Sequence, residues 1–335
     1  MGKLHISSTP HIHQKGSSTR NIMRDVVIAM IPAALAGVII FGLQALAVIA
    51  TCVGCAVISE FLFNLIARRK QTVGDFSAIV TGLLLALNLS VNVPLWQCAV
   101  GSIFAIIVVK CFFGGLGKNI VNPAIAARVF MLLTFGAVGA TVVIAPLFDI
   151  EALREMFPEV VNLLVEAPVE LEAYATPLQT LNKGVEAAAG GPSGLQLFLG
   201  FHGGTIGETC APALLLGFIY LVARKVIKWY VPATFVATVF VCYLIFGGFN
   251  VTFALQHVLA GGLLLGAIFM ATDYVTTPIT GKGRILFCVG AGLLTFAIRQ
   301  WGTYPEGVSI AILTMNLVTP FLSSWTKKRT LGGVK

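Results

Sequence analysis

Short polar stretches interrupt an otherwise apolar chain, and they hold most of the residues that could do chemistry. Gly114-Gly115-Leu116-Gly117-Lys118-Asn119-Ile120-Val121-Asn122-Pro123 sets the ammonium of Lys118 and the carboxamides of Asn119 and Asn122 among glycines that let a ligand approach the backbone. The same spacing suits a plain interfacial turn that enters a helix with proline at its first position. Thr272-Asp273-Tyr274-Val275-Thr276-Thr277-Pro278 is comparably polar and offers Asp273, Thr276 and Thr277. In Gly203-Gly204-Thr205-Ile206-Gly207-Glu208, Thr205 and Glu208 stand three apart ahead of an apolar run, the pattern of a helix capping box. Gly204 and Gly207 beside Glu208 would also let a phosphate approach a positive helix terminus. A last hydroxyl, Thr176 in Tyr174-Ala175-Thr176-Pro177-Leu178, sits near the centre of an acidic interval and is singled out as the working residue.

Glu60 and Lys110 fall within or near apolar runs. A charge at the centre of a bilayer costs roughly 2.5 to 3.5 kcal/mol on insertion scales, which makes a functional reading the default. Asp273 joins them as an ion-path residue, although Lys110 could also snorkel to an interface. Cys52-x-x-Cys55 reads as small thiols packing one helix against another, with a redox or metal pair as the alternative. His11-x-His13 reads as a solvated tail. No nucleophile triad, zinc-protease helix, nucleotide loop or dinucleotide fingerprint is present, so no hydrolytic or catalytic side chain is assigned.

Those residues must be positioned by membrane helices. With 57% hydrophobic and 11% charged residues and a mean hydropathy of +0.91, the chain cannot hide its apolar surface in a water-soluble globule. The net charge of +8 sits in clusters between apolar runs rather than on one stripe, which argues for topology signals and against nucleic acid. The expected fold is an all-α polytopic membrane protein with about ten transmembrane helices: 26–43, 45–66, 76–93, 95–113, 124–145, 208–223, 230–248, 254–272, 285–300 and 307–325. This count puts nineteen of the twenty-two basic residues, Lys110 and Arg128 among them, on the cytoplasmic side with both termini, and only Arg154, Lys183 and Arg299 outside. No cleavable leader is read in the first twenty-odd residues.

Five spans on each side of the polar interval would make a duplicated half insert upside down. Gly82-Leu83-Leu84-Leu85-Ala86 resembles Gly262-Leu263-Leu264-Leu265-Gly266, and Pro123-Ala124-Ile125-Ala126 resembles Val308-Ser309-Ile310-Ala311. An inverted five-plus-five repeat is therefore expected, with binding sites at the repeat interface. The organisation is a tail at 1–25, a first repeat at 26–145, an outer acidic loop at 146–207, a second repeat at 208–326 and a tail at 327–335. Within the loop, Leu153, Met156, Phe157, Val160 and Leu164 recur at helical spacing, as in a helix resting on the membrane.

Pro10-His11, Ser18-Thr19, Ile22-Met23, Gly117 to Ala124, Ala175 to Leu178 and Gly204 to Glu208 together resemble the D subunits of the Rnf electron-transport complex, over nearly the whole chain. The B subunit of the sodium-translocating NADH:quinone reductase is similar but carries a longer amino-terminal extension. The resemblance implies FMN joined through its phosphate to the hydroxyl of Thr176 on the outer side by a flavin transferase. Here Ala173-Tyr174-Ala175-Thr176 replaces the usual Ser-Gly-Ala-Thr, with Glu170 or Glu172 as the upstream acid. It also implies a second, non-covalent flavin, riboflavin or FMN, at Asn119 and Asn122, and assembly with the A, B, C, E and G subunits of Rnf in a bacterial inner membrane. Electrons from ferredoxin or NADH would then drive Na+ or H+ transport. The rivals are a passive channel or transporter, for which the denatured chain would show no flavin fluorescence, and a purely structural assembly component.

Overall fold

The computed structural model describes residues 18–136, 141–142, 174–175, 177–182, 184–185, 193–200, 202–302 and 306–327. Its helices are α1 (Thr19–Phe41), α2 (Leu43–Ile66), α3 (Ser77–Leu87), α4 (Leu95–Cys111), α5 (Pro123–Phe135), the short α6 (Pro177–Leu181) and α7 (Gly194–Leu199), then α8 (Ala211–Ala223), α9 (Tyr230–Phe246), α10 (Val251–Leu259), α11 (Leu263–Met270), α12 (Gly281–Trp301) and α13 (Val308–Trp325). A two-residue bridge, β1 (Thr141–Val142) against β2 (Tyr174–Ala175), is the one strand pairing among the described residues.

Four of these helices, α1, α2, α12 and α13, are long and apolar enough to cross a bilayer alone. A fifth crossing results if α10 and α11, bent by 67° at their break, count together. Leu43, Ile66, Ile219 and Phe321 are among many large apolar side chains left on the surface, as lipid contact requires of a multi-pass membrane protein.

The continuous spans expected at 76–93, 124–145 and 254–272 are corrected. Eleven-residue α3 is about 16 Å long, roughly half of a ~30 Å hydrocarbon core. It stops where Asn88, Ser90 and Asn92 begin a run that Pro94 closes. Helix α5 ends at Phe135, followed by Gly136 at a φ of 77°. The third span of the second half is split at Ala260-Gly261-Gly262, with Gly261 at a φ of 73°. Hydropathy averages over such breaks because the flanking side chains stay apolar.

Breaks free backbone groups that a membrane interior cannot solvate. At the α10–α11 break the Arg299 guanidinium donates to His257 C=O (2.7 Å) and Ala260 C=O (3.1 Å). At the end of α3, Ile206 and Gly207 N–H donate to Leu89 C=O (3.0 Å) and Leu87 C=O (2.8 Å).

Within the first half α2 packs on α3 and α4; within the second, α12 packs on α9 and α13. Across the halves α1 meets α8 and α5 meets α13. Small residues permit these approaches. A Cβ on Gly217 of α8 would run into Ala29 C=O of α1, and one on Gly82 of α3 would lie 2.8 Å from Val53 Cα of α2.

Candidate functional site

Helix α4 begins as an ordinary α-helix and widens to π-helical bonding over Phe104–Cys111. That segment carries Lys110 into a side-chain network between α2, α3 and α4. The ammonium donates to both carboxylate oxygens of Glu60 (2.9 and 3.0 Å) and to Ser77 Oγ (2.7 Å). Both partners of the ion pair are 2% exposed. Thr72 Oγ1 donates to Glu60 Oε1 (2.6 Å) and accepts from Asn64 Nδ2 (2.9 Å), while the Ser77 hydroxyl donates to Asp75. Removing two charges from water is tolerated only when their remaining hydrogen-bond capacity is met in this way.

Lys110 and Ser77 form one wall of a cleft whose other walls are Ile22 and Val26 of α1, Thr81 and Leu84 of α3, Asn119 and Asn122 ahead of α5, Leu221 of α8, and Phe269 with Asp273 at the end of α11. Both halves of the chain therefore contribute. The bordering loops are those the charge count assigns to the inner side.

Asn122 caps α5: its Oδ1 accepts from Ala124 N–H (3.0 Å) and Ile125 N–H (3.4 Å), with Pro123 at the first helical position. Its side chain is thus partly committed to the local turn, leaving the amide nitrogen. Asn119 donates through Nδ2 to Val121 C=O (3.1 Å), and its carboxamide oxygen makes no other hydrogen bond among the described residues. Asp273 accepts from Val275 N–H (3.2 Å) and Thr276 Oγ1 (2.9 Å), and Thr277 Oγ1 donates to its carbonyl (2.5 Å).

The Asn316 side-chain amide joins the two polar turns, donating to Thr276 C=O (3.2 Å) and accepting from Asn122 N–H (3.2 Å). Asn316 sits inside an apolar run, and sequence reasoning passes over it. An asparagine surrounded by aliphatic residues on α13 is the signal that could have found it.

The cleft brings together Lys110, Asn119, Asn122 and Asp273, with Glu60, Thr276 and Thr277 one hydrogen bond behind them. Lys118 does not join them; its side chain lies over Gly114 and is exposed. Gly204, Gly207 and Glu208 are also absent from its walls. A Cβ on Gly207 would lie 2.6 Å from Leu87 Cβ, so this glycine serves backbone docking against α3.

The capping box is corrected too. Thr205 donates to Glu208 Oε2 (2.9 Å), but α8 begins later, at Ala211, with Cys210 as N-cap. Arg128, counted with the inner charges, pairs from mid-α5 with Glu306, in the loop assigned to the outer side. Cys52 is buried against Cys98 of α4 rather than paired with Cys55, and all three thiols are free. Thr176 and the loop helix expected around Leu153 to Leu164 lie outside the described residues. Their neighbours are anchored: Tyr174 and Ala175 pair with Val142 and Thr141, and Leu178 and Leu181 of α6 are buried, Leu178 against Gly261.

The donor set fits a planar heteroaromatic ring with carbonyl and imide edges. It provides carboxamides and an ammonium at the rim and apolar faces from Leu84, Val226 and Phe269. The cleft holds about 750 Å³ of empty space counted out to its open, solvent-facing mouth. Half-exposed Tyr274 stands at its rim.

Residues 5–332 match the NQR2, RnfD, RnfE family. The chain is 41% identical over 334 residues to the D subunit of the Na(+)-translocating ferredoxin:NAD(+) oxidoreductase complex of Acetobacterium woodii, covering 99% of this chain and 96% of that protein. It is 39% identical to the D subunit of the proton-translocating ferredoxin:NAD(+) oxidoreductase complex of Clostridium ljungdahlii, covering 98% and 96%. It is 34% identical to the D subunit of the ion-translocating oxidoreductase complex of Aliivibrio salmonicida, covering 98% and 99%.

Proposed function

Because the chain belongs to the NQR2, RnfD, RnfE family, we propose that it is the D subunit of an ion-translocating ferredoxin:NAD oxidoreductase, a membrane protein that carries flavin. In this reading ten crossings, arranged as two inverted halves, place the 146–207 loop on the outer face, where FMN is esterified through its phosphate to Thr176 by a flavin transferase. A second flavin, riboflavin or FMN, occupies the cleft on the cytoplasmic side. Bound there, it supplies one- and two-electron redox chemistry between the A, B, C, E and G subunits of the complex. The chain's own residues bind and orient it. Asn119 and Asn122 offer carboxamide hydrogen bonds to its polar edge, Phe269 and Leu84 exclude water from its face, and Lys110 sets the charge at its rim. Glu60, Asp273 and Lys110 serve the coupled movement of Na+ or H+.

The observation that carries the reading is the match along almost the full length of chains named as D subunits of Na(+)- and proton-translocating ferredoxin:NAD(+) oxidoreductase complexes. The geometry adds support at two points. On either side of Thr176 the chain is held, by the pairing of Tyr174 and Ala175 with β1 and by the burial of Leu178. The packing of α1 on α8 and of α5 on α13 agrees with a pseudo-twofold between inverted halves, the third helix being short in the first half and broken in the second.

Flavin fluorescence of the denatured chain on a gel tests the attachment. Wild type should fluoresce and Thr176→Ala should not, with the modified peptide containing Thr176 in mass spectra. A dark wild-type band, or a Thr176→Ala band that stays bright, overturns it.

A further inference from the structure

The Lys110–Glu60 pair is buried at the wall of a cleft rather than sealed inside a helix bundle, and this placement asks for a reason. A buried ion pair is a poor way to stabilise a fold, since an apolar pair of similar volume does as well or better. The path of α4 is also specific: π-helical bonding is confined to the stretch that ends just past Lys110. Such local widenings are frequent at functional sites, and a second one, Gly266–Met270 in α11, contributes Phe269 to the same cleft.

We infer that Lys110 is a shared counter-ion and that the Glu60 carboxylate, with Thr72 and Asn64 beside it, is a site for one monovalent cation, Na+ or H+, occupied when Lys110 is drawn toward negative charge in the cleft. The inference rests on the proposal that a reducible ring occupies that cleft.

The charges balance. With no added electron, the ammonium neutralises Glu60 across 2.9 and 3.0 Å. When a low-potential one-electron donor delivers an electron to the cleft, one negative charge arrives. The Lys110 ammonium turns its N–H bonds toward that charge, pivoting about Ser77 Oγ at 2.7 Å. Glu60 is then an unpaired carboxylate in a buried site, and it takes up one cation; Thr72 offers its hydroxyl oxygen, which Asn64 Nδ2 holds in place at 2.9 Å. Loss of the electron reverses each movement, so one cation is bound per electron held.

The other charged groups around Lys110 leave it this role. Asp75 is engaged by the Ser77 hydroxyl and by Ser77 N–H (2.8 Å). Asp273, on the same cleft, is engaged by Val275 and Thr276. Arg69 donates to the Cys111 carbonyl (3.2 Å). Glu60 alone is both paired with Lys110 and supplied with neighbouring oxygen ligands. The residues from Thr72 to Asp75 connect the site to the loop on the cytoplasmic side.

The test is a redox titration of the non-covalent flavin in the purified intact complex, followed by visible absorption across a range of Na+ concentration and pH. In wild type the midpoint potential should rise with cation activity, by about 59 mV for each tenfold increase for a one-electron couple. At fixed pH, Glu60→Gln should abolish the Na+ dependence, and across pH it should remove the part of the slope that exceeds the ring's own proton uptake. Lys110→Met leaves a buried carboxylate unpaired and could fail to fold, so the double variant Glu60→Gln/Lys110→Met, which removes both charges, is the decisive arm. It should fold and, in whatever non-covalent flavin it retains, show a potential indifferent to Na+. A double variant with the wild-type cation dependence overturns the inference alone. A wild-type complex without non-covalent flavin overturns the cleft reading and the inference with it.

Discussion

Replacing Lys110 by methionine keeps most of the length of the side chain and deletes its charge. Glu60 Oε1 would retain Thr72 Oγ1 at 2.6 Å, but Oε2 would lose its protein partner, and the carboxylate, 2% exposed, would stay where water cannot reach it. Breaking a buried pair from one side typically costs about 3–5 kcal/mol, roughly a hundred- to several-thousand-fold in the folding equilibrium. Neutralising both partners together should cost about 1 kcal/mol or less, because the carboxamide introduced by Glu60→Gln would still accept from Thr72 and no unpaired charge remains. The cycle of Lys110→Met, Glu60→Gln and the double variant should therefore show the double variant less destabilised than the sum of the singles by at least about 2–4 kcal/mol, plus whatever Glu60→Gln costs alone. SDS titration of the purified full chain in mixed micelles reads it, with helical circular dichroism and the reactivity of the buried thiols Cys52, Cys98 and Cys288 as independent probes. If Lys110→Met costs under about 1 kcal/mol, or the double variant unfolds as easily as Lys110→Met, the pair is not a buried charge pair and the reasoning fails.

Asn316→Leu removes the bridge between Thr276 C=O and Asn122 N–H. Since Thr276 C=O still accepts from Thr319 Oγ1 (2.9 Å), one orphaned N–H should cost about 1–3 kcal/mol and lower the non-covalent flavin content measured after acid extraction. Gly217→Val places a side chain where a Cβ alone would already overlap Ala29 C=O, so α1 and α8 must separate; a loss of about 1–3 kcal/mol is expected in the same SDS titration. Arg299→Met leaves the carbonyls of His257 and Ala260 without their donors at the α10–α11 break, and hydrogen exchange at residues 257–263 should accelerate by at least about tenfold while that of α2 is unchanged.

Membrane character and the positions of the long helices are legible in the sequence because apolar runs are a direct statement about solvent. The breaks are not. Leu83 to Leu89 and Leu259 to Met270 keep high hydropathy through points where the backbone stops being helical, since the interruption is satisfied by distant groups, Ile206 and Gly207 in one case and Arg299 in the other. Charge placement reads Arg299 as an exposed outer charge, yet it is 2% exposed, because a guanidinium can solvate carbonyls that lipid cannot. At the cleft, residue types are informative and partners are not. Asn119, Asn122, Lys110 and Asp273 are recognisable as polar groups out of place, but their convergence depends on α1, α8 and α11 meeting α3 and α4. The Thr205–Glu208 spacing marks a true local contact with the wrong role, since the hydrogen bond forms while the helix starts at Ala211.

The polar groups of this protein share a feature that bears on coupling. Lys110 sits in the π-helical part of α4, Arg299 caps a broken helix, and Asn122 heads a short one. Arg299 and Asn122 satisfy backbone groups that a helix break or start leaves free, whereas among the described residues the Lys110 ammonium bonds only side chains, those of Glu60 and Ser77. At the α10–α11 break the bonds are charged, so a charge introduced nearby acts on them directly. Electron arrival and ion movement need not touch one another to be linked. In the coupling proposed above they need only compete for the same ammonium: Lys110 both lines the cleft and pairs with Glu60.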